Sequence, residues 1–230
     1  MKKLALLLTF MFATMTQAQE IKQIPMVNVQ GEGKIKVIPD EACITISQDT
    51  KGATAVEVKK INDTKIDAIL KFIKKMNIPQ SDFLTQRVAL NPNYDYEKKQ
   101  QEYIASQTVS ILLKDLSKYD ILMDGLMKAG VNKIDNVEFK TSKLLQLQSD
   151  ARKLAIKNAK LKAEDFVSVL GQKIGKAFSI SDNSQNFNPQ PVMYASMKSA
   201  QMNDSSAPNE TLAAGEIEVL VNVSLSFVLE

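Results

Sequence analysis

Hydrophobic and polar residues alternate along several stretches of this chain, and the alternation predicts its strands. Residues 26–30 alternate, Gly31-Glu32-Gly33 interrupts the pattern, and residues 34–37 resume it. This predicts a first hairpin broken at the glycines by a bulge or tight turn. Pro39-Asp40 is a turn signal. Residues 42–47 then have strict period two. Ala42, Ile44 and Ile46 fall on one face, and Cys43, Thr45 and Ser47 on the other. Further strands are predicted at about 83–90, 103–113, 133–140 and 177–181. A long terminal strand follows Gly215, with Ile217, Val219, Val221, Val223, Leu225 and Phe227 on one face.

Three segments change to the helical period. The first has Thr54 as N-cap and an apolar stripe of Val58, Ile61, Ile69, Phe72, Ile73 and Met76. Asn77 suits a left-handed cap there, and Pro79 prevents continuation. The second starts near Ser117, carries Tyr119, Leu122 and Leu126 on one face, and stops at Gly130. The third covers about 144–170 and ends at Gly171. In it Ala151, Ala155, Ala159 and Ala163 recur every four residues, a row of small side chains that lets a partner approach closely. Phe166, Val167 and Leu170 continue its predicted buried face.

Setting the first hairpin aside, the order up to residue 140 is β-α-β-β-α-β. That is the split βαβ arrangement, an antiparallel sheet with helices on one face, so the fold class is α+β. The remaining α-β-β extends or duplicates it, and the chain admits a subdivision near residue 141. Residues 183–214 are rich in Asn, Ser, Gln, Pro and Met without a clear period, and read as a mobile loop.

The first eighteen residues change the picture of where the protein works. Lys2 and Lys3 precede an apolar stretch at 4–15, and Thr16-Gln17-Ala18 supplies small residues at a cleavage site. This is the pattern of a secretory signal peptide, cleaved after Ala18. It predicts a periplasmic or secreted mature chain, 19–230, with no later membrane span.

Composition narrows the chemistry. The chain has 230 residues, no His, no Trp and one Cys. A Ser-His-Asp triad, a Cys-His dyad, a histidine metal site, an intramolecular disulfide and a CxxC pair are therefore excluded. A formal net charge of +3 is too weak a signal for a nucleic-acid binder.

Each remaining candidate has an ordinary structural reading. Gly31-Glu32-Gly33 lacks the third glycine and the following helix of a dinucleotide loop. Asp40/Glu41 and Glu164/Asp165 are adjacent carboxylate pairs whose side chains diverge, and Asp40 reads as a turn residue bonding nearby amides. Arg152, Lys153, Lys157, Lys160 and Lys162 read as the solvated face of a helix. Met193, Met197 and Met202 have thioethers suited to Cu(I), but no His or nearby Cys accompanies them. Cys43 reads as a half-buried strand residue. Tyr94, Tyr96 and Tyr103 flank a polar hairpin loop at 91–99 and are the candidate partner-contact residues.

Several features taken in order resemble one family. They are the exported start, the Val29-Gln30-Gly31-Glu32-Gly33 strand, the Pro39-Asp40-Glu41-Ala42 turn and Leu84-Thr85 after the first helix. They continue with the Pro92/Tyr94/Tyr96 loop, Tyr103, the alanine-every-four helix ending at Leu170-Gly171, and a terminal strand after a ragged Pro-containing loop. This series resembles the SIMPL-domain family, whose bacterial members include exported proteins called periplasmic immunogenic or oxidative-stress defence proteins. The resemblance covers about 24–228. It implies an α+β envelope protein with no assigned reaction and no established catalytic residues, a link to stress tolerance, and oligomeric assembly.

The sequence therefore predicts an exported, non-enzymatic envelope protein without a cofactor. It would act through contacts with itself, as a homo-oligomer, or with another envelope protein. The alternative is a small-ligand, lipid or copper-binding module.

Overall fold

In a computed structural model of the chain, residues 24–184, 190–192 and 214–230 are described. The elements run β1 (Met26–Val37), β2 (Glu41–Gly52), α1 (Ala55–Lys75), β3 (Phe83–Asp95), β4 (Gln100–Leu113) and α2 (Tyr119–Lys128). They continue with β5 (Lys133–Lys140), α3 (Leu144–Ser168), β6 (Ile174–Asp182), β7 (Gln190–Val192) and β8 (Glu216–Leu229). Residues 1–18, read from sequence as a signal peptide, and Met193, Met197 and Met202 lie outside the described residues. The three-residue strand β7 falls inside the segment read from sequence as a loop.

The fold is α+β. One antiparallel sheet has the order β3-β4-β2-β5 and is built from the continuous β-α-β-β-α-β run, as predicted. Its core joins Ala42, Ile44, Ile46, Val109, Ile111 and Leu113 of the sheet to Ile66, Ile69 and Ile73 of α1 and Leu122 and Leu126 of α2. The α1 cap is as the sequence requires. Thr54 Oγ1 accepts from the Glu57 N–H, and Asn77 takes φ 58° just beyond the helix. The stripe of α1 differs from the predicted one. Ile61 stays 39% exposed, whereas Asn62 is buried and accepts from the Thr50 hydroxyl at 3.2 Å.

The second sheet joins the two ends of the described chain. β1 pairs antiparallel with β8 along its full length, and β6 and β7 pair with β8's other edge. The alternating residues of β8, from Ile217 to Phe227, are all buried. α3 lies against β1 and β8, with Ala151, Ala155, Ala159, Ala163 and Val167 buried.

The predicted first hairpin is not present. β1 runs through Gly31-Glu32-Gly33 with unbroken register to β8, so the glycines form neither a bulge nor a turn. The reason is close packing. A Cβ on Gly31 would stand 2.0 Å from the Ala155 carbonyl oxygen, and one on Gly33 would stand 1.9 Å from that of Ala151. The glycines of β1 and the alanines of α3 are two halves of one contact, in which backbone meets backbone. The end of α3 also differs from expectation. Val167 is buried, but Phe166 and Leu170 are 59% and 73% exposed, because Phe166 turns away from the row that ends at Val167 and Leu170 lies beyond the last helical residue, Ser168.

The two sheets are linked by the short segments 38–40 and 141–143. Asp40 ties them together. Its carboxylate accepts from the Ser142 N–H at 2.8 Å and the Ser142 hydroxyl at 2.6 Å. The predicted turn residue therefore also bonds an amide 102 positions away.

Candidate functional site

The β3–β4 hairpin is longer than the sequence suggests. Asn91-Pro92-Asn93-Tyr94-Asp95, expected in a loop, continues β3, and only Tyr96 to Lys99 turn. Proline is tolerated there because β3 is an edge strand and its outer side needs no donor. The turn is held by Asp95, whose Oδ1 accepts from the Glu97 and Lys98 N–H groups at 3.0 Å each. The Lys98 amide and ammonium, together with the Glu97 amide, outweigh burial and hold the Asp95 carboxyl below its ordinary range.

The three candidate tyrosines gather on this hairpin. Tyr94 and Tyr96 meet edge to face, with ring centroids 5.1 Å apart. They are 49% and 84% exposed. Tyr103 is half-buried beneath Pro92, its cross-strand partner. The sequence reading missed Val88 and Leu90, which share this face with Tyr94 and are 69% and 40% exposed. The missing signal is a bulge at Gln86, which shifts β3's alternation by one residue. α1 packs over β2 and β4, leaving these side chains of β3 uncovered by described residues.

Cys43 lies on the other face of the same sheet. It is half-buried, as predicted, with Sγ 3.3 Å from the Ser110 hydroxyl. It lines a cleft of about 360 Å³ with Leu84, Leu112 and Leu144, beside Asp82. The Asp82 side chain is only 6% exposed and pairs with Lys114 at 2.8 Å. The Lys114 hydrogen bond, helped by the Ser81 hydroxyl, holds the Asp82 carboxyl low.

The second sheet carries a shallow groove of about 460 Å³ lined by Asn28, Gln30, Ser179, Ser181, Ser224 and Ser226. Several of these groups bond to one another or to Asn183: Ser226 donates to Asn28, Asn183 to Ser224, and Ser181 to Asn183. Four of the five basic residues singled out on α3 are also engaged. Arg152 pairs with Asp182, Lys153 with Asp150 and Lys160 with Glu164, while Lys162 donates to the Gln30 carbonyl. Glu164 and Asp165 do not form a dyad on the helix, since adjacent positions point apart. No group of three or more metal-ligating residues occurs among the described residues. No described helix is long and apolar enough to cross a membrane.

Comparison with known proteins adds a lineage to this geometry. The family model SIMPL, described as "Protein of unknown function (DUF541)", matches residues 27–227. The chain is 29% identical over 221 residues to the uncharacterized protein YggE of Edwardsiella ictaluri, covering 92% of each. It is 28% identical over 180 residues to YggE of Escherichia coli K12, covering 77% of this chain and 73% of that one. It is 26% identical over 219 residues to the 26 kDa periplasmic immunogenic protein of Brucella melitensis, covering 91% and 86%.

Proposed function

The chain belongs to the SIMPL family, and from that premise we propose an exported envelope protein that works through protein contacts, chiefly with copies of itself, and performs no chemistry of its own. One observation carries this reading. Val88, Leu90, Tyr94 and Tyr96 form an exposed apolar surface along an edge strand and its hairpin, with no cover among the described residues. Tyr94, Tyr96 and Tyr103 are its aromatic contact residues. Aromatic side chains on a stiff hairpin suit association, since they bring contact area with little loss of rotamer freedom.

Export is supported by the leader pattern at 1–18 and by the periplasmic name of the Brucella relative. A role in stress tolerance would follow indirectly, from the assembly's place in the envelope.

The test is the solution mass of residues 19–230 by light scattering coupled to size exclusion. A discrete multiple of the monomer mass is expected. A monomer at every concentration sinks self-assembly. Native mass spectrometry of the same sample tests a second reading, in which the cleft of Leu84, Leu112 and Leu144 beside Cys43 holds a small apolar molecule. A bound mass that disappears in Leu112→Asp would favour it.

A further inference from the structure

Among the described residues β7 is an outer strand of only three residues, and of the four longer outer strands three are guarded. Along β1, α3 takes the free carbonyls: Asn158 donates to the Glu32 oxygen at 2.7 Å and Lys162 to that of Gln30 at 3.0 Å. β5 carries Lys133, Asp135, Glu138 and Lys140 in eight residues. β6 breaks register with β8 twice. Charges, bulges and covering side chains are the devices that keep sheet edges from pairing. β3 has its bulge at Gln86, a proline at 92 and one charge at each end of residues 87–95, but between the bulge and the turn its register to β4 is unbroken, and among the described residues no side chain bonds its backbone.

The unguarded part of β3 has a definite length. The Gln86 bulge ends it on one side and the turn at Tyr96 on the other, leaving 87–95. The midpoint is Asn91. Antiparallel pairing of this segment with itself about Asn91 sets Arg87 opposite Asp95 of a second copy. It also sets Val88 opposite Tyr94 and Leu90 opposite Pro92. Arg87 has no ion-pair partner among the described residues. In this register Arg87 gains Asp95 of the second copy, whose carboxylate also holds Lys98 and the turn amides, and the segment's exposed apolar residues cover one another.

The backbone agrees with the register. Pro92 has no N–H, so full pairing to β4 turns its backbone outward, and alternation turns those of Val88, Leu90 and Tyr94 outward with it. Such a ladder has about six main-chain hydrogen bonds, two at each Val88–Tyr94 pair and one at each Leu90–Pro92 pair.

We infer that β3 is a self-complementary interface: two copies of this chain join their β3-β4-β2-β5 sheets through residues 87–95 about a two-fold axis at Asn91. This rests on the self-assembly reading above and specifies its surface. The contact is isologous, so it closes at a dimer, and larger assemblies use further surfaces.

The experiment uses residues 19–230 with Cys43→Ser. Asn91→Cys places two thiols across the axis in a non-hydrogen-bonded pair, where Cα atoms about 4.5 Å apart permit a disulfide. Mild oxidation should give a covalent dimer on a non-reducing gel. Ala89→Cys, which faces Asn93 of the second copy in this register, should give at least about tenfold less. Without added cysteines, Leu90→Lys and Arg87→Glu should each raise the dissociation constant at least about tenfold, by burying a charge or placing like charges together. Salt should weaken the native contact and not that of Arg87→Glu.

A native oligomer that neither variant weakens, with no Asn91→Cys cross-link, overturns this interface and leaves self-assembly standing. Cross-linking at Ala89→Cys in preference to Asn91→Cys overturns the register. A native monomer overturns both readings. Circular dichroism separates loss of association from loss of fold, and the oxidation readout stands even if Leu90→Lys unfolds.

Discussion

At Gly31 and Gly33 a single methyl group decides whether α3 can sit on its sheet. The obstructing atoms are carbonyl oxygens of a helix, which cannot turn aside as a side chain would. Gly31→Ala or Gly33→Ala should therefore cost about 3 kcal/mol, read as a lower urea midpoint at unchanged slope. Gly171 makes a contrast. It has φ 68° with nothing near a built Cβ, so Gly171→Ala should cost only the left-handed strain, about 1 kcal/mol. Equal losses at the two kinds of site would refute the close-packing account.

Asp40 offers a second residue-scale test. Burial resists its ionisation, yet the hydrogen bonds from Ser142 prevail and hold the carboxyl below its ordinary range. A carboxyl whose folded pKa is depressed adds stability above its unfolded pKa, near 3.9, and loses it as pH falls through the folded value. Asp40→Asn should cost about 1 kcal/mol at pH 7, small because the residue is exposed. The difference from the native protein should close at lower pH, in denaturation curves below about pH 3.9. A constant difference at both pH values would assign the loss to shape.

At the scale of elements, α1 shows where hydrophobic periodicity misleads. Ile61 belongs to the apolar stripe by sequence but remains partly exposed, while Asn62 is sealed against β2 by its bond to Thr50. A buried hydroxyl that loses its acceptor is expensive, so Asn62→Ala should cost about 1–3 kcal/mol. Ile61→Ala should cost about 0.5 kcal/mol or less. A periodicity argument gives the opposite order, and urea denaturation of both variants decides between them. β3 makes a related point. One extra residue at Gln86 shifts the alternation, so Val88, Leu90 and Tyr94 come onto the face that α1 leaves open.

At the scale of the whole molecule, the two sheets differ in how the chain builds them. The β3-β4-β2-β5 sheet and its helices come from one continuous segment with its own core, whereas the second sheet needs β1 from one end and α3, β6 and β8 from the other. Residues 40–141 expressed alone should keep cooperative thermal unfolding. Residues 142–230, which lack β1, should not fold without a peptide of 24–38, since β8 would then expose an edge and α3 would lose its glycine seat. Circular dichroism melts of both fragments test this. A disordered 40–141 fragment would show that the β1–β8 sheet supports the first core.

The sequence by itself determined the α+β class, the split βαβ order, the caps at Thr54 and Asn77, and β8's buried face. These depend on local period and local backbone preference, which neighbouring residues alone supply. The alanine row was legible as a close-packing surface, and the three tyrosines as residues of one hairpin. Only the tertiary structure decided what met the alanines, because two glycines in a strand look like a break until a helix lies on them. Only pairing across the sheets joined β1 to β8, brought Ser142 to Asp40, and left β3's edge uncovered. Those contacts join positions far apart in the chain, and neither period nor propensity carries information over that distance.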